Sequence, residues 1–397
     1  MKNILYALLF LLFVPAEIFA CSMFKITKGG KTIVGNNEDW WNPITQIWFE
    51  PKQNKKFGYM AVGFHDNFAQ GAVNDGGLMF DGFAMPFKPT IDTSNKKYIE
   101  MSKVISTIMH NYSSVEDVKK YLEKINLKDL TNSMLVFIDK DGKYLRVESD
   151  ELFLGNEEQQ SFSNFFPSLT SSTELVDLPF YQNGCKFIKS SIENTANFSY
   201  VTSVMDNFKQ TSTQYTTIYD LKNGIIKLFH FHNFKNSIEI NLVSELKKGK
   251  HTIKILNLFP KNTEGHKNYK TYLDTKSYVD NQRKMWFEHT KGKDSAYIKE
   301  AKEGFIYITN RSANDWLEVK GDIKRATAIL NLLVELFPND VDGYLSLGKS
   351  YFKVKNYNQA KKYFIKVIEL DTSNETAKKM LTAVEISALK VRVFGKK

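Results

Sequence analysis

Short runs of apolar and β-branched residues, separated by turns that contain glycine, make up most of the first 260 residues. After Cys21, the run Ser22–Thr27 leads to Gly29-Gly30 and then to Thr32–Gly35. Such runs on both sides of a Gly-Gly pair predict a β-hairpin whose first strand opens at Cys21. Three more strand pairs are predicted around glycine-containing turns at 74–78, 140–142 and 222–224.

Between these strands the pattern becomes helical. Met101–Tyr112 has apolar positions at helical spacing, and Ser113–Glu116 forms a capping box in front of a second helix. Strands, then helices, then strands again predict an α+β layered domain. This domain is expected to end near Leu258.

The C-terminal part has a different pattern. Residues 261–320 are polar and weakly periodic, which indicates a connector or domain extension, whereas 321–397 has helical-repeat spacing. The positions typical of a tetratricopeptide repeat are Tyr344, Leu347, Gly348, Tyr351, Ala360 and Phe364, with Ala326 and Pro338 one period earlier. The domains predicted are therefore 21–260 and a small all-α region at 321–397. The region either binds a protein partner or packs within the chain, and the sequence leaves homo-oligomer formation open.

The amino-acid composition is that of an ordinary folded protein. The chain has 397 residues, 42% of them hydrophobic, and a formal net charge of +10. Lysines are spread along the chain without a block of like charges, so a nucleic-acid partner is not expected. The expected partner is a small-molecule substrate.

The first 20 residues have the three parts of a secretory signal. Lys2 precedes the apolar run Ile4–Val14, and Ala20 stands at the expected cleavage site. We therefore expect an exported protein, periplasmic or extracellular, that begins at Cys21. Cys185 is the other cysteine, and a bridge between the two would consume the Cys21 thiol.

A cysteine at the start of a chain brings its own base. The α-amino group has a pKa near ~7.7–8.0, so its neutral fraction can take the thiol proton without a partner histidine. The seven histidines show no protease-like pairing with either cysteine. His230 and His232 alternate on a predicted strand, which is weak evidence for a metal. No metal or cofactor is expected.

Five segments together resemble one family. They are Cys21, 35–40 (GNNEDW), 74–86, 163–165 and 213–217. In order and spacing over residues 21–235 they are similar to the choloylglycine hydrolase and penicillin V acylase family of N-terminal nucleophile hydrolases, with the related acyl-coenzyme A:6-aminopenicillanate acyltransferases. The resemblance implies a four-layer αββα sandwich and cleavage of a linear, non-peptide C–N amide bond by Cys21.

The resemblance also implies roles for particular residues. Asp39 matches the aspartate that holds the terminal amine and thiol, Asn164 the side-chain oxyanion donor, and Ala84 the backbone N–H donor. Asn36 and Lys186 stand at two positions where the family usually has arginine. A cation near the thiol favours the thiolate, so Asn36 removes one such cation and Lys186 keeps the other. These two departures weaken the expectation of a bile-salt substrate.

Substrate contacts are predicted at Asn36, Asn74, Trp40, Phe83 and Tyr215. The aromatic residues among them have an alternative role in the core, and Asn74 has one in holding the loop that presents Ala84.

Two other readings use the same cysteine. Ile18–Cys21 resembles a lipoprotein processing site, which would make the protein a tethered binding module. Transfer of the acyl group to an amine would pass through the same thioester as hydrolysis. The amide itself stays open among penicillin V, an N-acyl homoserine lactone, a conjugated bile acid and an aminoacyl amine.

Overall fold

The computed structural model describes residues 21–40, 43–52, 54–64, 67–90 and 95–394, without the side chains of 300, 319, 320 and 391–394. The predicted signal segment, residues 1–20, lies outside this part of the chain. The chain divides into two compact units, the first ending at Tyr269 and the second beginning at Lys270. None of the helices in the described ranges is long and apolar enough to cross a membrane.

The first unit is built on two antiparallel sheets. The first sheet has six strands in the order β12-β1-β2-β13-β14-β15, and the second has eight in the order β11-β10-β9-β6-β5-β4-β3-β16. A short parallel pair, β7 with β8, lies apart from them. The strands are β1 (Ser22–Lys28), β2 (Lys31–Asp39), β3 (Thr45–Glu50), β4 (Tyr59–Phe64), β5 (Ala69–Asn74), β6 (Leu78–Ala84), β7 (Lys97–Tyr98), β8 (Ile125–Asn126), β9 (Ser133–Asp139), β10 (Tyr144–Glu148), β11 (Glu151–Gly155), β12 (Gln159–Ser163), β13 (Thr213–Asp220), β14 (Ile225–His230), β15 (Asn233–Asn241) and β16 (His251–Lys254).

Helices cover the outer face of each sheet. Helices α1 (Met101–Asn111) and α2 (Val115–Leu122) pack on the second sheet, and α3 (Pro179–Ser190) and α4 (Phe198–Phe208) cover the first. A third apolar cluster, which includes Met23, Val34 and Phe83, fills the space between the sheets. The layers are therefore α, β, β and α, which confirms the predicted fold class.

The predicted turns are where the sequence placed them. Gly29 and Gly30 have φ of 60° and 72°, the left-handed region that glycine adopts without steric cost, and they join β1 to β2. The capping box differs by one residue. Ser114 caps α2 by accepting the N–H of Asp117, so the cap is shifted one residue from the predicted Ser113–Glu116 pair.

The second unit is helical, and the segment 261–320 is itself mostly helix. Short helices α5 (Leu242–Leu246) and α6 (Ile255–Leu258) end the sandwich. Helix α7 (Glu264–Leu273) follows, and then come α8 (Thr275–Thr290), α9 (Ser295–Lys320), α10 (Ile323–Leu336), α11 (Val341–Lys353), α12 (Tyr357–Leu370) and α13 (Glu375–Phe394). The periodicity of α8 is weak because it buries only scattered positions, such as Tyr278 and Trp286. Helix α9 buries positions at helical spacing, but several of them, such as Ala301, Ser312 and Ala313, have small or polar side chains that give a weak hydrophobic pattern.

Gly348 explains why α11 and α12 approach closely. A Cβ at this position would lie 2.6 Å from the Phe364 ring, so only glycine lets the two helices pack at this point. Both residues belong to the predicted repeat positions. Two of the predicted repeat positions are therefore the residues that form the contact between α11 and α12.

A buried arginine of α10 contacts the end of α7 and two further helices, α8 and α9. The Arg325 side chain, 1% exposed, donates to the carbonyl oxygens of Leu273 at 2.5 Å and Tyr272 at 2.9 Å. Its guanidinium lies over the rings of Tyr278 and Trp316. These carbonyls belong to the end of α7, where backbone acceptors have no partner within the helix.

We expect Arg325→Met to destabilise the second unit by about 2 kcal/mol, because two buried carbonyls lose their donors. Arg325→Lys should recover only part of this, since one ammonium does not reproduce the planar fork. Urea unfolding followed by circular dichroism measures both changes.

The matched control is Arg283→Met. Arg283 is 31% exposed and pairs with Glu335 at 2.7 Å, so its loss should change the free energy of unfolding by less than about 1 kcal/mol. Equal stability of Arg325→Met and the unsubstituted protein would contradict the structural role of Arg325.

Candidate active site at Cys21

Strand register places Cys21 between two polar side chains. Strand β1 pairs with β2 with Ser22 opposite Asn37, and with β12 with Ser22 opposite Ser163. One residue earlier in the same register, Cys21 lies opposite Glu38 on one side and Asn164 on the other. The Ser163 hydroxyl donates to the Cys21 carbonyl oxygen at 2.7 Å, which fixes this end of β1.

Asn164 and Ala84 come together from the two sheets. The Asn164 Nδ2 atom donates to the Ala84 carbonyl oxygen at 2.6 Å, and the side chain is 5% exposed. An amide nitrogen carries two hydrogens, so one donor is left for another acceptor. The structure therefore brings the two predicted oxyanion donors into contact with each other.

The ladder also sets the direction of the Ala84 N–H. Met85 N–H donates to the Asn132 carbonyl oxygen, and neighbouring residues of an antiparallel strand point their N–H groups to opposite sides. The Ala84 N–H therefore points away from β9, to the side where the pairing with β5 ends at Asp81. It lies on the same side of the strand as its own carbonyl, which Asn164 contacts.

Asp39 is the last residue of β2, and its carboxylate accepts three hydrogen bonds. Its carboxylate accepts from Thr213 Oγ1 at 2.5 Å, Ser212 Oγ at 3.3 Å and Gln210 Nε2 at 3.1 Å. Burial raises the pKa of Asp39 to about 7, although these three hydrogen bonds lower it. The carboxyl is thus close to half-ionised at neutral pH.

The thiol of Cys21 is held in its protonated form. Burial, followed by the charges of Glu38 and Asp39, raises the pKa of Cys21 well above its ordinary value. The Asp39 backbone N–H, a donor to the sulfur, opposes this shift. In this state the thiol needs a base to become a nucleophile.

Glu38 is a residue that sequence reasoning missed. It is 2% exposed and forms a hydrogen bond with the Cys21 thiol. Residues 36–39 are four polar residues in succession, and β2 alternates between the two faces of the sheet. Two of them must therefore face the core between the sheets, and this signal could have identified Glu38.

Other predicted residues surround this group. Tyr215 lies opposite Glu38 on β13 and is fully buried. Phe83 is 1% exposed in the core between the sheets, and Trp40 is half-buried with its ring centroid 5.7 Å from that of Phe64. Asn36 is buried on β2, with no partner for its amide among the described residues.

Two predicted residues lie elsewhere. Lys186 is exposed on α3, in the helix layer outside the first sheet, and no described contact joins it to Cys21. Asn74 lies at the opposite end of β6 from Ala84, about 20 Å away for a strand of this length. Its amide donates to the carbonyls of Met109 and Tyr112 and accepts from Gly76 and Leu78 N–H groups, so it holds the β5–β6 turn on α1.

Neither the second cysteine nor the histidines form part of the group. Cys21 and Cys185 are both free thiols, so the two are not bridged. His230 lies near His232 and His266, and burial lowers its pKa to about 4. Within the described ranges, no three His, Cys, Asp or Glu side chains are placed to hold a metal ion.

The second unit has a groove of about 500 Å³. Its lining has charges of both signs, among them Lys299, Lys302, Arg311, Asp340 and Asp342. Partner binding by this unit stays a prediction.

Comparison with known proteins gives matches to one family model and to solved structures. Residues 341–374 match the model of the tetratricopeptide repeat, which confirms the repeat predicted there. Penicillin V acylase from Agrobacterium tumefaciens is similar in structure at 13% identity, over 58% of this chain and 90% of that one, with a TM-score of 0.46. The first tetratricopeptide domain of human RPAP3 matches at 17% identity, over 30% of this chain and 96% of that one, with a TM-score of 0.21. No protein with a curated description matches the sequence.

The raised pKa of Asp39 predicts how stability changes with pH. Between about pH 4 and pH 7 the folded protein holds a proton on Asp39 that the unfolded chain has lost, so the free energy of unfolding falls as pH rises through this window. We expect the fall to be smaller in Asp39→Asn, by up to about 4 kcal/mol. Urea unfolding at several pH values measures it, on a chain extended before Cys21 so that Cys21 itself has no α-amine.

Asp117→Asn is the control. Hydrogen bonding from Ser114 lowers the pKa of the exposed Asp117 carboxyl, so the slope of stability against pH in this variant should differ from that of the unsubstituted chain only below about pH 4. If the Asp39→Asn curve runs parallel to that of the unsubstituted chain between pH 4 and 7, the assigned pKa is wrong.

Proposed function

We propose that the protein is exported, that signal cleavage makes Cys21 its first residue, and that it hydrolyses linear, non-peptide amides with Cys21 as nucleophile. The observation that carries this proposal is the strand register at Cys21. It brings the thiol beside Asn164 and Asp39, and Asn164 contacts Ala84 from the other sheet.

The first half of the reaction forms a thioester. The neutral α-amine takes the proton of the Cys21 thiol, and the sulfur attacks the amide carbon. The resulting oxyanion is held by the second Nδ2 hydrogen of Asn164 and by the Ala84 N–H. The C–N bond then breaks, the α-ammonium returns the proton to the leaving nitrogen, and the amine departs.

The second half regenerates the thiol. Water attacks the thioester carbon, the α-amine takes one proton from it, and the same two donors hold the second oxyanion. The C–S bond breaks and the sulfur regains its proton, which releases a carboxylic acid. An amine in place of water would give acyl transfer, and the aqueous surroundings of an exported protein favour hydrolysis.

The buried carboxyls explain why an internal base is required. Burial and the charges of Glu38 and Asp39 keep the pKa of the thiol high, so the thiolate is scarce at neutral pH. The α-amine would lie two bonds from the carbon that carries the sulfur, which makes proton transfer local. Asp39, at the end of β2, contributes by holding the amine and the thiol of Cys21.

Replacing Cys21 by alanine should lower kcat/KM for a cleaved amide by at least about 10³-fold, because no thioester can form. The measurement uses mature protein and a panel of the amides named above. Intact mass of the mature chain also tests the start at Cys21, since lipidation would add several hundred daltons.

Cys185→Ala is the matched control. Cys185 is on α3 in the outer helix layer, and its thiol contacts Tyr181 and Ser161, so its loss should leave kcat/KM unchanged. An active Cys21→Ala protein, or a lipidated mature chain, would overturn the proposal.

Asn164→Ala should lower kcat by about 10²–10³-fold with little change in KM, because the lost donor acts on the oxyanion and not on the bound amide. Steady-state kinetics separate the two parameters. Asn156→Ala, at an exposed position just before β12, is the control and should behave as the unsubstituted enzyme. A change in KM alone would assign Asn164 to substrate binding instead.

A further inference from the structure

Six polar residues occupy the core between the two sheets, below Cys21. We refer to them as the inter-sheet polar cluster: Asn36, Glu38, Tyr215, Thr217 and Tyr219 from the first sheet, and Asp81 from the second. Each is at most 2% exposed. Polar side chains in a core are normally paired with one another, because an unpaired buried group costs about 1–3 kcal/mol.

Several polar atoms of this cluster have no hydrogen-bond partner in the part of the chain that the structure describes. Glu38 Oε2 has no hydrogen-bond partner, and the Asp81 oxygens have none beyond the adjacent Gly82 amide. The Tyr215 hydroxyl, which lies within electrostatic reach of both carboxyls, is also unpartnered. The Asn36 amide is unsatisfied at both its oxygen and its nitrogen.

The cluster has two carboxyl groups and no basic partner among the described residues. Within the described part of the chain, no lysine, arginine or histidine forms a hydrogen bond or ion pair with Glu38 or Asp81. Lys25, a buried lysine of β1, instead donates to the Gly142 carbonyl at the far end of the strand. The residues at the positions where the resemblance expects arginine are the neutral Asn36 and the exposed Lys186.

Space beside Asp81 is maintained by a glycine. A Cβ on Gly71 would lie 2.8 Å from Asp81 Oδ2, a distance that real Cβ atoms do not adopt. A side chain at position 71 would therefore occupy the site that the carboxylate uses. The second sheet is built to admit a carboxyl at this point.

We propose that the inter-sheet polar cluster binds a cationic amine carried by the acyl part of the substrate, so that the enzyme selects short aminoacyl amides. The inference rests on the proposed function and narrows its substrate class. An ammonium group would pair with Glu38 and Asp81 and donate to the Tyr215 hydroxyl oxygen. These groups are the ones that lack partners now.

The position of the cluster assigns the cation to the acyl group and not to the leaving amine. The acyl group stays bonded to the sulfur after C–N cleavage, and the Glu38 carboxyl contacts that sulfur. The leaving amine must reach solvent, and Ala84, the residue with the backbone donor, is exposed. A short acyl chain on Cys21 therefore extends towards Glu38.

Electrostatics also indicate which substrates are rejected. Burial, and then the neighbouring charge of Asp39 for Glu38 and of Glu38 for Asp81, raises the pKa of both carboxyls. A neutral acyl group leaves the buried polar groups of the cluster without a partner, and an acyl group with its own carboxylate brings a third carboxyl into the same buried site. A site whose buried polar groups are left unpaired discriminates more strongly than a hydrophobic pocket.

The test uses three acyl groups of similar length on one fluorogenic amine. The β-alanyl, butanoyl and succinyl amides of 7-amino-4-methylcoumarin end in an ammonium, a methyl and a carboxylate group. With mature enzyme beginning at Cys21, we expect kcat/KM for the β-alanyl amide to exceed that for the butanoyl amide by at least about 10²-fold. The succinyl amide should be the slowest.

The outcomes are distinguishable. The expected order supports the cation site. Hydrolysis in which the butanoyl or succinyl amide is as good as the β-alanyl amide, or cleavage of another amide of the panel above but of none of these three, overturns the cation site and leaves the amide hydrolase intact. Failure to hydrolyse every amide, with no acyl adduct on Cys21 by mass spectrometry, overturns the proposed function and the inference with it.

Variants locate the preference. Glu38→Gln and Asp81→Asn should each lower the ratio of β-alanyl to butanoyl kcat/KM by at least about tenfold, whatever they do to the separate rates. Asp139→Asn is the matched control, because Asp139 is a buried carboxyl of β9 whose oxygens accept backbone N–H groups of Asp141 and Lys143. Its ratio should not change, and an unchanged ratio in both cluster variants would overturn the assignment.

Discussion

The pairing of β1 with β2 and with β12 is the constraint on which the candidate site depends. It sets Cys21 between Glu38 and Asn164, and the Ser163 hydroxyl fixes the Cys21 carbonyl at that edge. A slip of one residue would turn the thiol towards α4 and bring Ser22 into the core between the sheets. The Asn164–Ala84 contact then ties this register to the second sheet, so both sheets contribute to one site.

The charge balance around the thiol follows from this arrangement. Three carboxyls, those of Glu38, Asp39 and Asp81, act on Cys21 and oppose its ionisation. A thiol in such surroundings is a poor nucleophile unless a base is supplied next to it. Under the proposed function, the α-amine freed on the same residue would meet this need. The acidic surroundings of the thiol are therefore consistent with a mechanism in which Cys21 supplies its own base.

Local rules account for what the sequence predicted well. Gly-containing turns such as Gly29-Gly30 depend on backbone conformation at one or two residues, and the repeat at 341–374 depends on a fixed spacing. The partnership of Glu38 with Asp81 could not be predicted, because it joins strands of different sheets. The same limit applies to Lys186. The family resemblance suggested a position near the site, whereas Lys186 lies exposed on α3. Helix α8 was not recognised because its few buried positions give no clear period, and α9 was not recognised because small or polar residues such as Ala301, Thr309 and Ser312 fill several of its buried positions.

The inter-sheet polar cluster also affects the stability of this domain. Replacing a buried ionisable group by an apolar one of similar volume is often neutral or stabilising. A leucine at position 38 would therefore suit the surrounding core of Met23, Val34 and Phe83 at least as well as the glutamate. Retaining the carboxyl makes the domain less stable than its packing allows, and selection for thermal tolerance alone would be expected to remove it.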